Sequence, residues 1–301
     1  MPKMQPAVMR MTFNVPSDVH YLDLSQCASI LNRRFYRQGI NWAVAGITFV
    51  DEAGGAAGSV SVEKLHNTWV TSNAWEKGLR VWNKMNQEFA LDMNPSVKPR
   101  YYDFKVHMDT SHVAGGFASN LIPRGYSTAQ IGEWLPSEVI IPSATTAGVV
   151  TPFVLKMNGS SDANAKGVIE GYQDGRAVPN SPDPDVPAAL SLNWMSAVFN
   201  EGTLQTNAVL GDLEDTNDET PYDLDRYPGA GVLPTFGAGL ETVDTVVFSG
   251  TTVSSRNRVG GFNAPCGLIR INHLAGNDLT MYVDLVPGEH RGYLCQKMTE
   301  M

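Results

Sequence analysis

The sequence predicts a mainly β chain: a single antiparallel jelly-roll sandwich over residues 1–301, with short helices inserted between the early strands and with long loops. Three observations predict it. Short apolar or alternating runs, about four to eight residues each, recur along the chain and are bounded by Gly, Pro, Asn or Asp. No alternation of strand and helix patterns appears of the kind that builds a parallel sheet with crossover helices. Gly 28 and Pro 18 are spread over the 301 residues and charged residues make up 18%, which fits a folded chain with many turns and not a disordered or collagen-like one.

Val8 to Phe13 alternates as a strand does and ends at Asn14 and Pro16. Ser25 then fits a helix N-cap, with Cys27, Ile30, Leu31 and Phe35 on one face and Gly39 at C′, giving a short helix from Gln26 to Gln38. Asn41 to Asp51 and Ser59 to Val70, joined by the Gly/Ala-rich turn Glu52 to Gly58, read as a β-hairpin. Thr71 to Met93 switches to a helical period carried by Trp75, Leu79, Trp82 and Phe89, and Asn73 with Glu76 resembles a capping box. Alternation returns in Arg100–His107. Further strands are predicted at Glu138–Ile141, Thr151–Met157, Leu190–Phe199, Thr242–Val253, Cys266–His273 and Leu279–Val286. The stretches 173–187 and 211–234 read as long loops, or as a projecting insertion, and loops of that length inside a compact domain serve contact or function.

Net charge is −9, unevenly placed: residues 1–150 hold 13 Lys+Arg against 12 Asp+Glu, and residues 151–301 hold 9 against 19. Two surfaces with different electrostatic duties follow from that split. No run of about 20 apolar residues is present to cross a bilayer, and the N-terminus lacks an apolar signal region with a cleavage site, which predicts synthesis in the cytosol. Cys27, Cys266 and Cys295 are odd in number and far apart, the pattern of buried thiols and not of a disulfide framework or zinc site.

Chemistry-bearing motifs are few. Neither phosphate-binding glycine motif occurs in a strand–turn–helix setting, and no G-x-S-x-G elbow or H-E-x-x-H pair is present, so the sequence predicts no enzyme. His107, Asp109 and His112 offer metal-ligand chemistry at short spacing, although ordinary turn hydrogen bonds account for the same residues, and His290 beside Arg291 has the same standing. The acidic run Asp212, Glu214, Asp215, Asp218, Glu219, Asp223 and Asp225 is dense in oxygen ligands but lacks EF-hand spacing. A solvated loop explains it; Asp215, Asp218, Asp223 and Asp225 are the residues that would hold Ca²⁺ at an interface between copies. Two basic groups stand out: Arg33, Arg34 and Arg37 at the end of the first helix, and Lys77, Arg80 and Lys84 at helical spacing on the second. They suit phosphate contacts or pairing with acids of a neighbouring copy, although a solvated helix face with favourable charge at a helix C-terminus accounts for the same residues more simply.

Three stretches, RRFYRQGINWAVAGITF, LHNTWVTSNAWEKGLRVWNKMNQ and MYVDLVPGEHRGYLCQKM, resemble the capsid proteins of small circular single-stranded DNA viruses that encode a replication initiator. The resemblance implies a jelly-roll coat subunit that assembles with copies of itself into a small icosahedral shell around single-stranded DNA, located in the virion, with no catalytic residue, cofactor or membrane. One departure is plain: many such capsids begin with an arginine-rich arm, and residues 1–20 here hold only Lys3 and Arg10. The patches at Arg33, Arg34, Arg37, Lys77, Arg80 and Lys84 then become the residues expected to meet DNA. Two other function classes fit the composition: a β-sandwich module that binds glycans through loop aromatics such as Tyr222 and Tyr227, and a carboxylate-dependent glycosidase.

Overall fold

The structure, a computed structural model, describes residues 7–54, 57–92, 103–126, 134–142, 150–177, 227–230, 239–249, 255–274 and 276–301. The chain is mainly β and divides into two compact units, where the sequence reading treats 1–301 as one domain. The first unit comprises residues 1–68, 114–135 and 240–301; the second comprises 69–113 and 136–239.

The first unit begins with β1 (Arg10–Val15) and β2 (Asp18–Asp23), separated by Pro16, which has no N–H to continue a ladder. Helix α1 (Leu24–Asn32) follows at once, capped by Asp23, whose carboxylate accepts from the Ser25 and Gln26 N–H groups. The helix therefore starts one residue before the predicted Ser25 cap. It ends at Arg33 (φ 53, ψ 35), well short of Gln38, because the chain folds back and the Tyr36 N–H bonds to Ser29 Oγ. Next come β3 (Ile40–Val50) and β4 (Gly58–Lys64).

The second unit opens with α2 (Trp69–Asp92), which starts before the predicted Asn73 cap. Its buried stripe meets Phe104: Trp75 and Trp82 each place a ring centroid 5.7 Å from it. Residues 103–106 form no strand, contrary to the Arg100–His107 prediction, and His107 makes only an isolated bridge to Lys156. Helix α3 (Thr110–Gly115) leads back toward the first unit. Then β5 (Glu138–Pro142), β6 (Val150–Lys156) and β7 (Ala165–Gly167) form a small sheet in which β5 and β6 pair antiparallel and β6 and β7 pair parallel. Helix α4 (Val168–Ala177) packs on α2 where Gly78 lets it approach: a Cβ on Gly78 would lie 3.1 Å from Val168 Cγ1. Residues 173–177, predicted as the start of a long loop, thus close this helix. The rest of that loop, the predicted strand Leu190–Phe199 and most of 211–234 lie outside the described residues.

Eight more strands complete the first unit: β8 (Glu241–Phe248), β9 (Arg256–Val259), β10 (Phe262–Ala264), β11 (Leu268–Leu274), β12 (Leu279–Leu285), β13 (Pro287–Gly288), β14 (Gly292–Tyr293) and β15 (Cys295–Lys297). One sheet runs β1-β12-β3-β10, with β9 and β15 also on β3; the other runs β2-β11-β4-β8; every pairing in both is antiparallel. Alternation puts Met11, Phe13, Val15, Ile47, Phe49, Met281 and Val283 of one sheet and Leu22, Val60, Val62, Ile269 and Ile271 of the other into a single core cluster. The predicted hairpin of β3 and β4 does not form: the two strands sit in different sheets, and the turn between them crosses from one sheet to the other.

Candidate functional site

The basic group predicted at the end of α1 lies on the first unit and is larger than the sequence suggests. Arg33 caps α1 in the left-handed conformation and places its guanidinium 5.9 Å from the Tyr126 ring centroid. Arg34 lies close enough to Tyr36 to favour its ionised form electrostatically. The Arg37 carbonyl accepts from Ser25 Oγ, 3.0 Å away, leaving its side chain exposed. Arg291 joins from the far end of the chain: its guanidinium sits 5.9 Å from the Tyr36 ring centroid and donates to the Phe35 carbonyl, while Tyr36 Oη donates to the Arg291 carbonyl at 3.2 Å.

Local geometry explains why these groups meet. Arg291 (φ 52) and Gly292 (φ 107) take consecutive positive φ values, the signature of a tight turn between β13 and β14 that only a residue pair ending in Gly accepts at little cost. Tyr293, buried just after it, packs its ring 5.6 Å from Tyr36 and 5.2 Å from Trp42. Its hydroxyl donates to the Val8 carbonyl and accepts from Asn32 Nδ2, both at 2.7 Å, which ties the C-terminal turn to the end of α1. Burial pushes the Tyr293 phenol up to about 12.

Among the described residues none of Arg33, Arg34, Arg37 and Arg291 is ion-paired to a carboxylate. Arg34 and Arg291 thus bring two permanent cations to Tyr36, with Arg33 over Tyr126 and Arg37 close in sequence. His290 lies 6.4 Å from the Tyr36 ring centroid, and burial first, with Arg291 second, lowers its pKa. The arrangement suits an anion with several oxygens, a phosphate or a carboxylate.

The second predicted group belongs to the other unit. On α2, Arg80 is engaged by Glu76 one turn earlier, and Lys77 is half-buried with its pKa lowered by burial first and by Arg80 second. Lys84 is also only partly exposed. This helix face is therefore less cationic than its sequence spacing suggests, since part of its charge is internally neutralised or desolvated.

The His107, Asp109 and His112 trio is used for turn bonds. His112 Nδ1 accepts from the Met108 N–H at 3.0 Å, and Asp109 Oδ1 accepts from the His112 N–H at 2.8 Å. The His107 and His112 rings meet edge to face at 4.8 Å, and burial, with His112 second, takes the His107 pKa down to about 3. Among the described residues no group of three His, Cys, Asp or Glu gathers as a metal site. Asp215, Asp218, Asp223 and Asp225 lie outside the described residues, as does Tyr222. Tyr227 is buried between Trp69 and Tyr172 and so is not a loop aromatic open to a sugar ring.

No family model, no curated protein and no solved structure matches this chain. Among the described residues no helix is long and apolar enough to cross a membrane. Arg291 is the member of the patch that sequence reasoning missed, and the only sequence signal was the Arg-Gly pair followed by Tyr at 291–293.

Proposed function

We propose that the chain is a virus coat subunit that assembles with copies of itself into a closed shell around single-stranded DNA, and that its sandwich is a jelly roll. The observation that carries this reading is strand order. With β9 and β10 taken as one strand interrupted at Gly260 and Gly261, and the three-residue β15 at the edge of β3 set aside, eight strands in sequence fall into the sheets 1-8-3-6 and 2-7-4-5. That interleaving is what two nested Greek keys produce, an arrangement shared by many shell-forming subunits. The second unit enters between the fourth and fifth of these strands, a loop position at which an insertion leaves both sheets intact.

The arginines around Tyr36, none of them ion-paired among the described residues, supply an anion contact in this reading. Two of the three stretches that resemble circular single-stranded DNA virus capsids, RRFYRQ and GEHRGY, meet at that patch. Negative-stain electron microscopy of the purified chain, with absorbance at 260 and 280 nm on the same fraction, tests the reading. Uniform closed particles are expected, and a chain that stays monomeric or forms only small discrete oligomers at high concentration refutes it.

A further inference from the structure

Asp23 ends β2 and caps α1, and its carboxylate is completely buried. Oδ1 accepts from two backbone groups, the Ser25 N–H at 2.9 Å and the Gln26 N–H at 3.2 Å. Oδ2 accepts from two side chains, Gln38 Nε2 at 3.1 Å and Trp134 Nε1 at 3.2 Å. Every partner among the described residues is thus an N–H donor, and no Lys, Arg or His among them pairs with the carboxylate.

Each protonation state of such a group carries a penalty. Ionised, it satisfies four donors but is a buried charge with no cation to offset it. Protonated, it avoids that cost, yet its own O–H has to be accommodated where its partners are all donors, and a bond is lost. The mobility of the partners decides which one. The donors on Oδ1 belong to the first turn of α1 and cannot move without unwinding it, whereas those on Oδ2 sit on side chains that can turn away. Protonation therefore falls on Oδ2 and loosens Gln38 and Trp134. The opposing costs meet near neutrality: burial raises the pKa to about 7, against the bonds from Gln26, Gln38, Ser25 and Trp134 that lower it.

The ionisable groups on the elements around Asp23 are Cys27 of α1, Cys266 in the turn from β10 to β11, and two ion pairs of the sheet, Arg270 with Glu63 and Lys64 with Glu241. Burial first, with Asp23 second, pushes both thiols well up and keeps them neutral. Arg37, next to Gln38, is exposed, and Glu133, next to Trp134, lies outside the described residues.

Gln38 closes the loop that carries the Tyr36 patch. Residues 33–38 fold back onto α1: the Tyr36 N–H donates to Ser29 Oγ at 2.9 Å, Ser25 Oγ donates to the Arg37 carbonyl at 3.0 Å, and Gln38 donates to Asp23. A proton on Asp23 loosens the last of these.

We propose that Asp23 is a proton-operated latch on this arginine-bearing loop, closed when the carboxylate is ionised and loosened when it is protonated. The latch deepens the anion-contact reading by naming its regulation, and it rests on that reading only for the effect on a bound strand. The guanidiniums keep their charge throughout; the proton changes the order of the loop that presents them.

The indole N–H resonances of the isotope-labelled full chain, with Trp134 assigned through Trp134→Phe, read the latch from about pH 5.5 to about pH 8.5. The Trp134 resonance is expected to move with one midpoint near pH 7. Asp23→Asn abolishes that movement, and Gln38→Met, which removes a donor favouring the ionised form, raises the midpoint by about one pH unit. Fluorescence anisotropy of a labelled oligo-dT at constant low salt reads the consequence. Affinity is expected to fall about fivefold from about pH 8 to about pH 6 in the wild type and in His290→Gln, and to stay level in Asp23→Asn.

A Trp134 resonance that stays fixed, or that moves alike in Asp23→Asn, overturns the latch. Should Asp23→Asn not fold, an unshifted midpoint in Gln38→Met overturns it instead. A moving resonance with pH-independent binding, or a pH dependence that disappears in His290→Gln, overturns control of the patch. A chain that binds no oligo-dT at any pH refutes the anion-contact reading, and the resonance still decides the latch.

Discussion

Asp23 ties several elements of the first unit together. Fully buried, it accepts four N–H donors, from Ser25 and Gln26 at the start of α1, from Gln38 Nε2 at 3.1 Å and from Trp134 Nε1 at 3.2 Å. Burial raises its pKa to about 7 in spite of those donors. A folded-state pKa above the unfolded value means that its contribution is fully present below about pH 4 and is lost as pH rises through about 7, at most roughly 4 kcal/mol. His107 in the other unit has the opposite sign: its pKa of about 3 lies below the unfolded value, so its contribution is present above about pH 6.5 and lost on acidification. Urea midpoints between pH 4 and pH 8 check both. Relative to wild type, Asp23→Asn is expected to gain stability as pH rises, and His107→Gln to gain as pH falls. Parallel curves for either variant contradict the corresponding assignment.

At the scale of elements, the crossings between sheets are the demanding places. The turn from β10 to β11 uses two left-handed residues, Cys266 at φ 57 and Gly267 at φ 70, and a Cβ on Gly267 would sit 2.9 Å from the Trp42 ring. Trp42 cannot give way easily, because it is fully buried, donates to Ser25 Oγ at 3.1 Å and packs on Tyr36 and Tyr293. Gly267→Ala is therefore expected to destabilise the first unit by about 2 kcal/mol or more, combining left-handed strain with a ring displacement. Thermal unfolding followed by tryptophan fluorescence reads it, and a variant within about 0.5 kcal/mol of wild type shows that the turn relaxes freely.

For the whole molecule, net charge and local charge oppose each other. Copies bearing −9 repel one another at long range, and salt screens that repulsion. The proposed nucleic-acid contact at the Tyr36 patch weakens with salt, because phosphate binding releases condensed counterions. Self-association of the nucleic-acid-free chain is therefore expected to strengthen as ionic strength rises, while oligonucleotide binding falls. Sedimentation velocity and anisotropy at matched salt separate the two, and trends of the same sign contradict this division.

Local pattern alone determined where many elements lie. The apolar run at 40–50, the helical period from Trp75 to Trp82 and the alternation at 279–285 each reflect a buried face whose period is written in consecutive residues. The basic residues Arg33, Arg34 and Arg37 were legible for the same reason, being neighbours in sequence. Tertiary structure alone decided partners. A strand pattern names the face to be buried but not the strand beside it, so β3 and β4 read as a hairpin although each completes a different sheet. Nothing near Arg10 announces Asp284, 274 residues away, and nothing near Tyr36 announces Arg291, because these pairings follow from antiparallel register and one turn, not from local sequence. Even the start of α1 was settled by a buried cap: Asp23 holds the position that Ser25 seemed to fit, because only its carboxylate also reaches Gln38 and Trp134.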